Sequence, residues 1–328
     1  MRILSHRDVE QALTMPQAIE VMQDAFARLA NHQATVPLRS QLPVPQHNGV
    51  ALFMPAYIQG TDALAIKIVN VFGDNAQRGL PLIHAVVVAL EAQTGRALAL
   101  IEGGALTALR TGAGCGAATI ALARSDARVG LVFGAGVQAR TQLRALCAAR
   151  QLERVYVYDP APAKAQAMLA ELRARPELSA DLRVADDVAS AVRAADIISC
   201  ATTSKQPLFD GNDVQPGAHV NAIGSFTPEA RETDDAFIKR CNKIVVDAYS
   251  GALAEAGDLI QPMEQGILQE SDLYAELGEI TSGQKAGRAN ATEITFFKSV
   301  GNAVQDAAIA QALLQRAEAL GLGVNVEL

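Results

Sequence analysis

The stretch RVGLVFGAGVQARTQLRA, residues 128–145, constrains the fold more than any other part of the chain. A strand-length apolar run, VGLVF, stops at a glycine turn and re-enters a helix. Gly134-Ala135-Gly136-Val137-Gln138-Ala139 fits the pattern G-x-G-x-x-A. In that pattern Gly134 makes the tight turn, Gly136 lets the backbone approach a pyrophosphate, and Ala139 packs helix against strand. The free N–H groups of the helix from Gln138 onward would face the phosphates. The motif alone is weak, but here it has the strand before it and the helix after it that nucleotide binding requires. The next apolar run, RVYVYDP, ends in Asp159, close to the ~20-residue offset expected of the acid that binds the ribose hydroxyls. A carboxylate there repels a 2′-phosphate, and Pro160 and Ala161 follow it with no Arg. The pattern therefore favours NAD(H), with NADP(H) as the alternative. A plain strand-to-helix turn with Asp159 capping the next helix would read the same way.

From Arg128 onward the runs VGLVF, RVYVYD, DIISCAT, HVNAIG, KIVVDAY and EITFFKS alternate with helical segments. That is the rhythm of a doubly wound parallel sheet. The first hundred residues read differently. Ser5 and Thr14 are candidate helix caps, and Ile19, Met22, Phe26 and Leu29 recur at helical spacing. Extended runs broken by Pro and Gly follow (VPLRSQLPV, GVALFMPAYI, ALAIKIVNVF, LIHAVVVALE, ALALIEGG) and predict an antiparallel-type sheet. A helix is expected over about 106–123 with Thr107 as its cap. The tail NAVQDAAIAQALLQRAEALGL reads as one long helix that packs back on the first domain. The expected fold class is therefore α/β: a Rossmann doubly wound parallel sheet over 119–303, plus a discontinuous α+β domain over 1–118 and 304–328.

Composition narrows the function classes. Half of the 328 residues are hydrophobic, enough for full cores. A net charge of −7 argues against nucleic acid or an anionic membrane as partner. The N-terminus MRILSHRDVE lacks the apolar core of a signal peptide, and runs such as LIHAVVVAL fall far short of a membrane span. Cys115, Cys147, Cys200 and Cys241 show neither C-x-x-C nor metal-ligand spacing, which predicts reduced thiols in a cytoplasmic protein. The histidines form no H-x-x-x-H pair, so no metal is expected.

Three cations stand out in the first domain. Arg39 lies beside an extended run, Lys67 in the middle of the apolar strand AIKIVNVF, and Arg110 on a helix of small residues. Burying them without a partner is expensive, and acidic neighbours in sequence are few. Together they fit an anionic ligand such as a carboxylate, which Arg binds bidentately. Taken singly, Arg39 also reads as a surface side chain and Lys67 as a snorkelling strand residue.

The segments VPLRS, LAIKIVN, GLPLIHAVVVALEAQTGRALALIEGGALTALRTGA, GLVFGAGVQAR, HVNAIGSFTPEARETD, VVDAYSGALAEAGDL and EITFFKSVGNAVQDAAIA run in order over nearly the whole chain. In these the sequence resembles the ornithine cyclodeaminase/mu-crystallin family. The resemblance implies a homodimer whose first domain, completed by the C-terminal helix, binds substrate and dimerises. It also implies an active site in the cleft beside the Rossmann domain. Arg39, Lys67 and Arg110 match the family's substrate-carboxylate ligands, with Lys67 also the favoured catalytic acid/base. Thr111, Val137, Gln138, Asp159, Ala201, Thr202, Ser225, Ser299 and Val300 match dinucleotide-contacting positions. Asp306 matches a motif position, though the start of the last helix explains it equally well.

Two positions depart from the cyclodeaminase pattern. Aligned on Pro228, the acidic residue of true cyclodeaminases is replaced by Phe226, and a polar residue of the GLPLIHA strand by Leu82. Phe226 cannot manage the protons of an amine substrate. The expectation is an NAD(P)H-dependent ketimine reductase that converts Δ1-pyrroline-2-carboxylate or Δ1-piperideine-2-carboxylate to L-proline or L-pipecolate. Ornithine cyclodeaminase, an alanine-dehydrogenase-like enzyme and a non-catalytic mu-crystallin-like binder are the alternatives. Lys67 beside two Arg side chains should have a depressed pKa.

Overall fold

The computed structural model describes residues 1–327. The chain opens with β1 (Arg2–Leu4), α1 (His6–Ala12), α2 (Met15–Ala30), β2 (Ala34–Thr35), β3 (Ser40–Val44), β4 (Gly49–Ile58), β5 (Ala63–Phe72), β6 (Ile83–Glu91), β7 (Ala97–Glu102) and α3 (Gly103–Leu122). There follow β8 (Val129–Phe133), α4 (Val137–Ala149), β9 (Arg154–Tyr158), α5 (Pro162–Leu172), β10 (Asp181–Val184), α6 (Val188–Ala194), β11 (Ile197–Cys200) and β12 (His219–Ala222). The rest comprises α7 (Asp235–Arg240), β13 (Lys243–Val246), α8 (Tyr249–Glu255), α9 (Gly257–Glu264), β14 (Leu273–Glu276), α10 (Leu277–Thr281), β15 (Thr295–Lys298), α11 (Ala303–Leu320) and β16 (Val324–Asn325). The chain divides into two compact units, Met1–Arg110 with Asn302–Leu328, and Thr111–Gly301.

In the first unit the sheet runs β16-β1-β7-β6-β5-β4-β2, with β3 also on β4. Strands β4 to β7 are antiparallel, as the alternating runs predict. Ser5 and Thr14 cap α1 and α2 through reciprocal capping boxes. The start of α3 differs from the expected one. Glu102, not Thr107, caps it, accepting the Gly104 and Ala105 N–H groups at 2.8 and 2.7 Å. A carboxylate at a helix N-terminus also meets the positive end of the dipole, which a Thr hydroxyl cannot match. The pleat then places Lys67. Ala63, Ala65 and Lys67 of β5 are buried, while Leu64, Ile66 and Ile68 on the other face are only half-buried. Met54 and Val87 lie opposite Lys67 in register and share its buried face. Helix α11 packs on β4, β5, β6 and α2.

The second unit is a Rossmann fold, an α/β unit with eight parallel strands in the order β10-β9-β8-β11-β12-β15-β13-β14. The order reverses between β8 and β11, which is where open parallel sheets bind ligands, beyond the carboxyl ends of the strands. An aromatic chain ties the core across strands: Phe133 to Phe209 at 5.6 Å, Phe209 to Phe237 at 5.9 Å, and Phe237 to Phe296 at 5.2 Å. Each such buried ring contributes about 1.5–3 kcal/mol.

Candidate active site

Within the first unit, two of the three cations meet on one carboxylate. Lys67 Nζ lies 2.7 Å from Asp306 Oδ2, and Arg110 Nε lies 3.1 Å from Asp306 Oδ1. Lys67, Arg110 and Asp306 are all buried. Gln305 accepts a short hydrogen bond from Arg110. Arg39 is half-buried just before β3, close enough for its charge to act on Lys67. Burial pushes the Lys67 ammonium down to about 8; Asp306 opposes that shift, and the charges of Arg110 and Arg39 add to it. Two buried cations, Lys67 and Arg110, against the one Asp306 carboxylate leave excess positive charge in a dry setting, where a further anion is welcome. Asp306, undecided from the sequence, is thus the group on which the cluster is built.

Within the second unit, the glycine turn has the geometry a pyrophosphate requires. Gly134 has φ +99°, and a Cβ there would lie 2.5 Å from the Ala201 carbonyl oxygen. The turn is therefore pressed against the loop after β11, at the point where strand order reverses. A Cβ at Gly136 would meet no atom within 4 Å, so the backbone faces open space there. Gly136 is the N-cap of α4 and makes no side-chain cap, which leaves the first N–H groups for an anion. Ala139 is fully buried against the sheet. Asp159 lies just past β9; it accepts the Ala135 N–H at 3.0 Å and the Ala161 N–H at 2.9 Å. It ties the glycine turn to the end of β9 and does not cap α5, whose N-cap is Ala161. These residues fit a dinucleotide with a free ribose 2′-hydroxyl.

Four other candidate cofactor positions, Thr202, Ser225, Ser299 and Val300, follow the carboxyl ends of β11, β12 and β15. Thr202, after β11, donates to Glu232 from its N–H at 2.8 Å and its hydroxyl at 2.9 Å. Ser225, after β12, is buried and bonds Asp258 and Lys298. Ser299 and Val300, after β15, both donate to Asp247, which also takes the Gly301 N–H at 2.8 Å. Val137 is exposed, Gln138 and Ala201 are half-buried, and Thr111 is buried in α3. Sequence reasoning missed Glu232, Asp258, Lys298 and Asp247, the charges beneath these loops. Phe226 and Leu82 are large apolar side chains, each 43 % exposed. Leu82 precedes β6 rather than lying within it.

Comparison with known proteins shows the family and the fold. The ornithine cyclodeaminase/mu-crystallin family matches residues 1–320. A Δ1-pyrroline-2-carboxylate reductase of Bacillus cereus is 37 % identical over 327 residues, covering 100 % of both chains. The Thermococcus litoralis Δ1-pyrroline-2-carboxylate reductase, solved with NADH and L-proline, superposes with a TM-score of 0.94 at 41 % identity, covering 99 % of this chain and 100 % of that one. An archaeal alanine dehydrogenase dimer with bound NAD gives 0.91 at 30 % identity, over 100 % of this chain and 99 % of that one.

Proposed function

The chain belongs to the ornithine cyclodeaminase/mu-crystallin family, and we propose that it is an NAD(H)-dependent ketimine reductase. Its substrate is a cyclic imino acid, Δ1-pyrroline-2-carboxylate or its six-membered homologue, and its product L-proline or L-pipecolate. We assign substrate binding and dimerisation to the first unit and dinucleotide binding to the second. The buried Lys67–Asp306–Arg110 cluster, with its excess positive charge, is the observation that carries the substrate class. The reductases of Bacillus cereus and Thermococcus litoralis support the same chemistry.

Arg110 and Arg39 hold the substrate carboxylate and so fix which face of the imine is presented. Lys67 donates a proton to the imine nitrogen, and Asp306 keeps the ammonium in place for it. NADH bound at the Gly134 turn would supply the hydride that adds to the C=N carbon. The carbon gains a hydride and the nitrogen a proton, which balances the reduction. Phe226, apolar where a cyclodeaminase needs an acid, cannot manage the protons of the ammonia and δ-amine steps of ornithine. Asp159 favours NADH over NADPH. The protein acts as a homodimer in the cytoplasm, where its four cysteines remain thiols.

An initial-rate panel tests all of this at once: both cyclic imines, pyruvate with ammonia, and L-ornithine, each with NADH and with NADPH. NADH should be consumed with the cyclic imines. Conversion of ornithine to proline and ammonia without net NADH change would make the protein a cyclodeaminase. Turnover confined to pyruvate would make it an alanine dehydrogenase, and cofactor binding without any turnover a binding protein. Asp159→Ala should weaken NADH far more than NADPH; a wild type that prefers NADPH overturns the cofactor assignment.

A further inference from the structure

Beneath the carboxyl edge of the parallel sheet lies a group of three fully buried charges that the chemistry above does not use. Glu232, Asp258 and Lys298 each have 0 % exposure. Glu232 spans two loops. Its Oε1 takes the Thr202 N–H and hydroxyl at 2.8 and 2.9 Å, and its Oε2 takes the Gly224 and Ser225 N–H groups at 2.8 and 3.4 Å. The loops touch so closely that a Cβ on Gly224 would lie 2.2 Å from the Thr202 carbonyl oxygen. Asp258 holds the segment that carries Glu232, accepting the N–H groups of Glu232 and Thr233 at 2.8 Å each. Lys298, at the end of β15, lies 2.9 Å from Asp258 Oδ2 and donates to the Ser225 carbonyl at 2.7 Å.

Three strand ends, those of β11, β12 and β15, are thereby tied to one another by charge-assisted hydrogen bonds in addition to the apolar core that holds Cys200, Ala222 and Phe296. Burying three charges is costly and stabilises little compared with an apolar core, so the arrangement answers a need for geometry. In a doubly wound sheet the two halves of a dinucleotide lie on either side of the strand-order reversal. Asp159 and the glycine turn mark the adenosine side, on β8 and β9. The loops after β11, β12 and β15 are on the other side.

We infer that Glu232, with Asp258 and Lys298 behind it, is a positioning residue that holds Thr202 and Ser225 in register for the nicotinamide half of the cofactor. This rests on the dinucleotide reading and is independent of which imine is reduced. Glu232→Gln keeps the size but sets an amide N–H against one pair of loop donors. Asp258→Asn loosens the same loops from behind.

Binding of NADH and of ADP-ribose, which lacks the nicotinamide, is measured by calorimetry on the full-length protein with no imine present. Loss of a hydrogen bond to a charged group predicts NADH weakened by about tenfold or more in Glu232→Gln, and by a smaller factor in Asp258→Asn. ADP-ribose should change by less than about twofold, which also reports that the unit is folded. Equal loss of both ligands would show a role in general stability only and overturn the inference, as would unchanged NADH affinity in both variants. A wild type that binds neither ligand overturns the dinucleotide reading together with it. Failure of every imine in a rate assay would leave the binding result standing.

Discussion

At pH 7 a Lys67 ammonium with a pKa of about 8 is mostly charged, and one pH unit above 8 it is mostly neutral. Imine reduction needs the charged form, which donates a proton. Its kcat/KM should therefore be level below about pH 8 and fall about tenfold per unit above it. Oxidation of the amino acid needs the neutral form and should rise with pH up to the same point. Asp306 is the neighbour that raises the Lys67 pKa against burial, so Asp306→Asn should move the alkaline limb of the reduction profile to lower pH. Lys67→Ala should cut turnover by roughly 10²–10⁴ while NADH affinity holds. The alkaline fall is separable from unfolding. Lys67 gives up its proton more easily in the folded protein than in the unfolded chain, so its contribution to stability rises with pH between about 8 and the ordinary 10.5. A limb that stays near pH 8 in Asp306→Asn removes Asp306 from the mechanism.

At the level of elements, the two turn glycines do different work and can be separated. Gly134 carries φ +99° and abuts the Ala201 carbonyl, so Gly134→Ala strains the backbone and the packing together, at a cost of about 1–3 kcal/mol. Gly136 has φ −83° and ψ −170°, which any residue adopts, and faces open space. Gly136→Ala should keep the melting temperature of wild type yet lose NADH affinity, whereas Gly134→Ala should lose both. A Gly136→Ala variant that binds NADH normally would remove the pyrophosphate from that turn.

Both glycines were legible because strand, turn and helix left a local pattern, and the alternating runs that became β4 to β7 were legible for the same reason. Short edge strands were not. DLRV and LYAE, which form β10 and β14, are too brief and too polar to carry a period. Thr107 was a false cap because the acid that does the capping precedes the glycine pair. Asp306 matched a motif position in the sequence, and the further signal lies in its place on the apolar stripe of α11 with Ala303, Ala307, Ala310 and Leu314, where a charge needs a buried partner. Glu232 and Asp258 left none, since their partners are backbone groups of loops brought together only by the sheet.

At the scale of the whole molecule, the first unit's sheet has two apolar faces. One is filled by α11 around Lys67. The other carries Phe53, Tyr57, Ile66, Ile68, Val86 and Val88, all half-buried, and Leu38, Leu42 and Leu80 of the same unit are exposed. Soluble monomers rarely leave contiguous apolar area of that kind in water, and a second copy of the same face is the partner that two-fold symmetry provides at once. The proposed homodimer thus needs this face. In a two-fold interface each substitution appears twice, so Ile68→Glu would bring two carboxylates into the same apolar seam and break it. Sedimentation at micromolar concentration should give wild type twice the chain mass of 34.5 kDa and the variant close to that single-chain mass. The melting temperature of wild type should rise with protein concentration, and that dependence should vanish in the variant. A wild type that sediments as one chain, or an Ile68→Glu protein that remains paired, would place the contact elsewhere or remove it.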